Sequence, residues 1–411
     1  MRQSTCRFCK APLKHSFVDL GLSPISNAFV SPEEANTATR YYPLHAFVCQ
    51  DCFLVQLDEF ESPKEIFSDD YAYFSSFSES WLRHAYNYVE MMVSKHGITN
   101  SSKVVEIACN DGYLLQYFIE KNVPVLGIEP ATNVAKVAEE KGIPVISEFF
   151  GEEFAVGLSK DHGKADLIIG NNVLAHVPDI NDFVKGMKEL LSDEGIITLE
   201  FPHLLNLMKE NQFDTIYHEH FSYLSFLTVS SIFSEFGLVI FDVEELPTHG
   251  SSLRIFAKHI DDHSKQITPA VEKMMMLEIE EGLNQITTYN DFSERVAATK
   301  REILSLLIHL KNNGRSIVGY GAPAKGNTLL NYCGTGRDFF DYIVDRSPHK
   351  QGKLLPGTLI PVYSPEKLKE TRPDIVVIMP WNIKEEIIEQ ISFVREWGAQ
   401  FVTLIPNPRV W

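Results

Sequence analysis

The 411-residue chain carries 37 Lys+Arg against 55 Asp+Glu, a formal net charge of −18, and such an excess of negative charge repels a phosphate backbone and excludes nucleic acid as an expected partner. No apolar run reaches the ~18 residues that cross a bilayer, and MRQSTCRFCK is no apolar leader, so a cytoplasmic protein with no membrane partner is expected. With 22% charged and 11% aromatic residues the composition is that of a folded chain, long enough for two or three domains.

The first ~70 residues are turn-rich, with short strand-like pieces, and carry two tight cysteine pairs, Cys6-x-x-Cys9 and Cys49-x-x-Cys52. Four thiolates in two knuckles match the tetrahedral preference of Zn²⁺ and leave no position for a water, so a structural zinc is predicted over residues 1–70. Neither pair opens a helix after a strand, which argues against a redox motif. Metal binding would compensate for the weak apolar core of this segment. Cys109 and Cys333 stand apart and receive no metal.

From Lys103 onward the pattern changes. Apolar runs of strand length, at 103–109, 123–130, 143–147, 165–171 and 195–202, alternate with helical stretches, as parallel strands covered on both faces do. Runs at 238–246 and 251–259, joined by a short polar link, read as an antiparallel closing hairpin. Together they predict a Rossmann-like α/β domain over residues 71–260.

Within it, Val104 to Tyr113 reads as a strand, a tight turn and a helix start, the place where doubly wound sheets bind ligands. Enzymes that use S-adenosylmethionine (SAM) carry an acidic, glycine-rich turn here; this chain keeps Glu106 and Gly112 but has Ala108 and Asn110 at the other two glycine positions, with Cys109 between them. Glu129 closes the second strand 23 residues after Glu106, where a carboxylate can accept hydrogen bonds from two ribose hydroxyls. Asn171 to Asp179, ending the fourth strand, resembles the N-x-L-x-H-x-x-D segment of SAM methyltransferases, and the closing hairpin favours that sheet over a dinucleotide-binding one. SAM is therefore the predicted cofactor.

Transfer of a methyl group to carbon needs a base beside a carbonyl, since a C–H bond is a poor nucleophile. The densest candidate is Tyr217-His218-Glu219-His220: a histidine takes a proton near neutral pH, and a tyrosine hydroxyl can stabilise a developing oxyanion.

Residues 261–313 are helix-favouring and read as a helical connector, with Met274, Met275 and Met276 assigned to core packing. A second Rossmann-like α/β domain follows over 314–411. Gly319, Gly321 and Gly326 fail the G-x-G-x-x-G spacing, because the last glycine comes five residues after the second. Lys325 and Asn327 at a predicted helix start would suit a phosphate through backbone N–H groups and charge, which favours phosphate binding over the alternative of a vestigial dinucleotide fold.

The paired CxxC knuckles, Tyr71-Ala72-Tyr73-Phe74-Ser75-Ser76, Glu106 to Gly112, Leu174 to Asp179, Tyr217 to His220 and Gly319 to Thr328 occur in one order along nearly the whole chain. In this the sequence resembles the nucleotide-sugar C-methyltransferases, the group that includes the SAM-dependent 3-C-methyltransferase of D-tetronitrose biosynthesis. The resemblance implies structural zinc in the N-terminal module, SAM in the central domain and a dTDP-type nucleotide sugar held with help from the C-terminal domain. It places the base on His220 and puts Tyr217, Glu219, His176 and Tyr71 around the sugar, with Tyr73 not separable from Tyr71. Arg254 ends a segment, His249 to Arg254, that departs from the Gly-Gly-Ser-x-Arg of relatives. The expected cofactor contacts are Glu106, Cys109, Asn110, Gly112, Glu129 and Asn171; the expected substrate contacts are Tyr73, Arg254, Lys325 and Asn327. Methylation of oxygen or nitrogen on the sugar, or a non-catalytic zinc-ribbon protein that binds a partner, are the competing readings.

Overall fold

A computed structural model describes residues 4–60 and 74–411. The chain forms two compact units that are not consecutive in sequence: one takes residues 1–13, 49–203 and 221–285, the other residues 14–48, 204–220 and 286–411.

In the first unit, strands that read as apolar throughout stack side by side. Val104–Ile107 is buried at every position and pairs in parallel with Val125–Ile128 on one side and Ala165–Asn171 on the other. Val145–Ile146 extends the sheet beyond Val125–Ile128, and Leu191–Pro202 beyond Ala165–Asn171, both in parallel. Ser252–His259 then adds antiparallel to Leu191–Pro202, and Leu238–Leu246 closes the edge as its hairpin partner. This sheet of seven strands among the described residues is the SAM methyltransferase fold, with the antiparallel hairpin predicted from sequence.

Helix Glu79–His96 covers one face. Ser78 caps it by accepting from Trp81 N–H at 3.3 Å, a contribution of about 0.5–2 kcal/mol, and Gly97 ends it at φ +69°. Trp81, Ala85, Tyr88, Val89 and Met92 recur at helical spacing and are the buried ones, packed with Val104, Leu167 and Phe256.

The second unit contains an antiparallel hairpin, His15–Ser23 with Tyr42–Val48, and a separate sheet. Phe17 of the hairpin stacks on Phe292, 4.4 Å between ring centroids, at the start of the long helix Phe292–Asn312. The sheet is parallel through Val362–Tyr363, Ile343–Val344, Ile317–Tyr320, Ile375–Ile378 and Gln400–Thr403, with Arg409–Val410 added antiparallel. This is the second Rossmann-like layer expected from the sequence.

One packing expectation is corrected. Met274 is buried, whereas Met276 is 49% exposed, because successive residues on helix Pro269–Glu280 point about 100° apart and three in a row cannot share one apolar face.

Candidate active site

The four cysteine thiols converge. Cys6, Cys9, Cys49 and Cys52 Sγ atoms all lie within 4.8 Å of one another, with Cys6 to Cys52 and Cys9 to Cys49 at 3.5 Å. Tetrahedral Zn–S bonds of ~2.3 Å require S···S separations near 3.8 Å, so the donor set fits the ion. The two knuckles are built alike: Lys10 N–H bonds to Cys6 O and Phe53 N–H to Cys49 O, and both Lys10 and Phe53 turn through positive φ. Gln56 Nε2 donates to Cys6 Sγ at 3.2 Å, an outer hydrogen bond that orients a ligand. Arg7 and Phe8 anchor the first knuckle beside the methyltransferase sheet, through Arg7 Nη1 to Pro178 O at 2.6 Å and Asn181 Nδ2 to Phe8 O at 3.0 Å.

At the end of strand Val104–Ile107 the backbone turns through three left-handed residues, Ala108 at φ +58°, Asn110 at +50° and Gly112 at +73°. The turn thus keeps the backbone shape of a glycine-rich fingerprint with one glycine of three. Only Gly112 is sterically obliged, since a Cβ there would stand 2.2 Å from Ile143 Cδ1.

Glu129 knits this turn to the second strand: Oε2 accepts from Asn110 N–H at 3.0 Å and Oε1 from Ala131 N–H at 2.9 Å. Burial pushes its carboxyl up to about 7 against the pull of those two N–H groups. Each oxygen retains a second lone pair, the acceptor set a ribose diol needs. Glu106 is buried completely; desolvation raises it well above the usual carboxylate range, the nearby Tyr113 hydroxyl opposes that rise, and the charges of Asp111 and Glu129 add to it. Asn171 Nδ2 donates to Tyr113 Oη at 3.1 Å, so Glu106, Tyr113 and Asn171 form one polar line across the strand ends. Cys109 turns its thiol inward against Gly127, leaving its backbone at the turn.

The sequence reading missed how this turn is braced. Asn110 Oδ1 accepts from Ser75 N–H and Asp111 Oδ2 from Ser76 N–H, at 2.9 and 3.1 Å, while Lys141 Nζ donates to both Asp111 O and Ser76 Oγ. The signal was present, since Ser75 and Ser76 end one of the quoted motifs. Tyr71 and Tyr73 of that motif lie outside the described residues. His176 sits in the one-turn helix Leu174–His176 after the fourth strand, and Asp179 caps the next helix by accepting from Asp182 N–H.

Arg254 is buried in an ionic network: its guanidinium meets Glu200 and Glu244 at 3.0 and 3.1 Å and lies over the Tyr88 ring. His84 and Thr248 also bond to Glu200. The negative charge of Glu200 is held, below the usual carboxylate value despite its burial, by His84 and Arg254.

In the second unit the segment Tyr217 to His220 is arranged residue by residue. His220 Nδ1 donates to Thr215 O at 2.9 Å, which places the proton on Nδ1 and the lone pair on Nε2. Tyr217 Oη–H meets that lone pair at 2.8 Å. His218 differs: its Nε2 donates to Pro43 O, and burial lowers it to about 4, so it stays neutral and serves packing. Glu219 is fully desolvated, and both carboxylate oxygens accept from Asn27 Nδ2, at 2.7 and 2.9 Å. Burial pushes Glu219 up to about 7, opposed by Asn27 and the charge of Lys350.

Lys325 Nζ donates to Asn382 Oδ1 at 2.7 Å. Asn327 is 1% exposed and gives its amide to Ser26 O, so its side chain holds the fold and is not presented at a surface.

Family models match the chain in three stretches: a zinc binding domain over residues 6–67, a methyltransferase domain over 81–243 and a C-methyltransferase C-terminal domain over 247–406. The SAH-bound magnesium protoporphyrin IX methyltransferase of Synechocystis PCC 6803 aligns over 43% of this chain and 82% of its own, with 16% identity and a TM-score of 0.35. A SAM-dependent methyltransferase of Clostridium acetobutylicum aligns over 43% of this chain and 92% of its own, with 12% identity and a TM-score of 0.36. The C-methyltransferase NovU of Streptomyces niveus is 35% identical over 406 residues, 98% of this chain and 96% of that one. With that likeness along its full length, a closed cysteine quartet and a SAM-type turn, the chain belongs to the zinc-containing, SAM-dependent C-methyltransferases.

Proposed function

We propose that the chain methylates C3 of a nucleotide-linked 4-keto-deoxysugar, of dTDP type, through an enolate for which His220 is the base. The observation that carries this reading is the pair of bonds on the imidazole. Thr215 O fixes the tautomer, so the basic nitrogen is Nε2, and Tyr217 Oη stands at hydrogen-bond distance from it. A base in the wrong tautomer would present a proton where a lone pair is required.

Bound SAM supplies an electrophilic methyl group. Glu129 and the turn from Ala108 to Gly112 are assigned to its ribose and methionine ends, with Glu106 and Asn171 behind them. When the sugar's ketone oxygen replaces Nε2 as acceptor of the Tyr217 O–H, the Nε2 lone pair is freed; His220 then takes the proton from C3, whose acidity the ketone raises, and Tyr217 stabilises the oxygen on which charge gathers. Glu219, near neutrality in its titration, positions the sugar or the loop. His176, Tyr71 and Tyr73 are assigned to the sugar ring.

His220→Ala should lose methyl transfer by ~10²–10⁴ with SAM affinity unchanged. With SAH in place of SAM, the wild type should exchange the C3 proton of the keto sugar with solvent deuterium and His220→Ala should not. Exchange that persists in His220→Ala but vanishes in Tyr217→Phe would move the base to Tyr217. Methyl transfer with no exchange at all would indicate oxygen or nitrogen as acceptor, and absence of SAM binding by calorimetry would leave an interaction protein.

A further inference from the structure

In the sheet of the second unit the strand order reverses between Ile317–Tyr320 and Ile375–Ile378, since the strands at 343–344 and 362–363 lie to one side and those at 375–378 and 400–403 to the other. Open parallel sheets bind ligands at that point, beyond the carboxyl ends of the strands. A Cβ on Gly321 would stand 2.5 Å from Pro380 Cγ, so the two strand-end loops close against each other. Trp381 follows Pro380, and its indole N–H donates to Asp214 Oδ2 at 2.7 Å. Lys325, in the first turn of helix Ala324–Cys333, lays its ammonium 4.6 Å from the Trp381 ring centroid and acts by its charge on Asp214. The carboxylate of Asp214, 0% exposed, stands where an anionic ligand would be expected.

Asp214 belongs to the turn Phe213–Thr215, which immediately precedes the base loop. Neighbouring residues of that turn are tied to the same α/β layer: the Phe213 ring meets Tyr332 edge-on at 5.4 Å, and Ile216 O accepts from Thr328 Oγ1 at 3.0 Å. Between those anchors, Thr215 carries the carbonyl that accepts from His220 Nδ1. Three ties to distant residues thus hold one carbonyl in one direction.

We infer that Asp214, held by Trp381, is a positioning residue for His220: it fixes the turn that aims the Thr215 carbonyl, and through it keeps the imidazole proton on Nδ1. The second α/β layer then serves as the scaffold of the base, through Trp381 and Lys325 at its strand ends. Burial, which pushes Asp214 up to about 6, is offset by the indole donor, the neighbouring backbone N–H groups and Lys325, so removing the donor leaves a poorly satisfied group beside the turn. The inference rests on His220 being the base.

The test is nitrogen-15 NMR of the histidine side chains together with steady-state kinetics on SAM and a dTDP-4-keto-6-deoxyhexose, with His220→Ala identifying the His220 signals. Trp381→Phe keeps the ring and removes the donor; Asp214→Leu removes the acceptor; Asp214→Asn retains one acceptor oxygen. Trp381→Phe and Asp214→Leu should shift His220 to a mixture of tautomers and lower kcat about ten- to a hundredfold, the scale of a slightly misplaced catalytic group, with KM within about twofold. Asp214→Asn should restore the Nδ1–H tautomer and most of kcat. A wild-type tautomer in both Trp381→Phe and Asp214→Leu overturns the inference, whatever happens to kcat. Activity retained in His220→Ala would overturn the base assignment instead, and the tautomer readout, which needs no substrate, keeps the two failures apart.

Discussion

The turn at Ala108 to Gly112 and the loop of the proposed base, Tyr217 to His220, are both short polar segments, held by different means. Around Ala108 to Gly112 the ties run from backbone to backbone or to side chains close in the sheet: Glu129 accepts two N–H groups, and Ser75 and Ser76 give theirs to Asn110 and Asp111. The shape of the turn comes from three positive φ values and is local. Around Tyr217 to His220 the bonds on the imidazole itself are local, from Thr215 and Tyr217, but the residues beside it are held from far away in the chain. Asn27 holds Glu219, Trp381 holds Asp214 and Thr328 holds Ile216, from positions 192, 167 and 112 residues away in the chain. A cofactor that recurs across many enzymes can be met by a standard turn, whereas a base must be aimed at one atom of one substrate, and aiming takes side chains.

That contrast can be broken or sharpened by experiment. Zinc is the strongest lever on a locally built segment, because the binding free energy of such a module is folding free energy, on the order of 10 kcal/mol. Protein purified without added zinc should hold about one ion per chain by metal analysis, and Cys49→Ser or a chelator should lower the melting temperature. A content under half an equivalent that Cys49→Ser leaves unchanged would remove the site. Next comes Gly112→Ala: with the new Cβ 2.2 Å from Ile143 Cδ1 and φ at +73°, the change should cost about 2–4 kcal/mol, read as lost stability or SAM affinity. A neutral outcome would mean that the turn is not set by its backbone.

Glu129→Ala should weaken SAM binding by roughly 1–3 kcal/mol with the fold retained, measured by calorimetry. The pH dependence has a definite sign. Burial raises the folded carboxyl to about 7, so the stability it contributes to the SAM-free protein is full below its unfolded value and is lost as pH rises through about 7. Ribose hydroxyls donate to the ionised form, so SAM affinity should rise from pH 6 to pH 8 in the wild type and stay flat in Glu129→Gln; a flat wild-type profile would place the ribose elsewhere. The smallest effect belongs to Ala108→Gly. Relief of the left-handed alanine at φ +58° is partly cancelled by unfolded-state entropy, leaving a change of at most about 1 kcal/mol, detectable by denaturant titration.

Read alone, the sequence determined what depends on near neighbours and on periodicity. Apolar runs without alternation dictate buried parallel strands, two CxxC knuckles dictate a tetrahedral thiolate site, and Glu129 at a strand end is legible because a strand end after a fixed count of residues is a position in space. Even Ala108 and Asn110, which break the glycine pattern, occupy the backbone region that glycine would have taken. Only the tertiary structure decided the partners of buried polar groups. It turned Arg254 toward Glu200 and Glu244, gave the amide of Asn327 to Ser26, separated neutral His218 from His220, and brought Trp381 to Asp214. The reason is physical: a buried donor or acceptor takes whichever partner the packing of distant elements presents within about 3 Å, and that choice leaves no periodic trace along the chain.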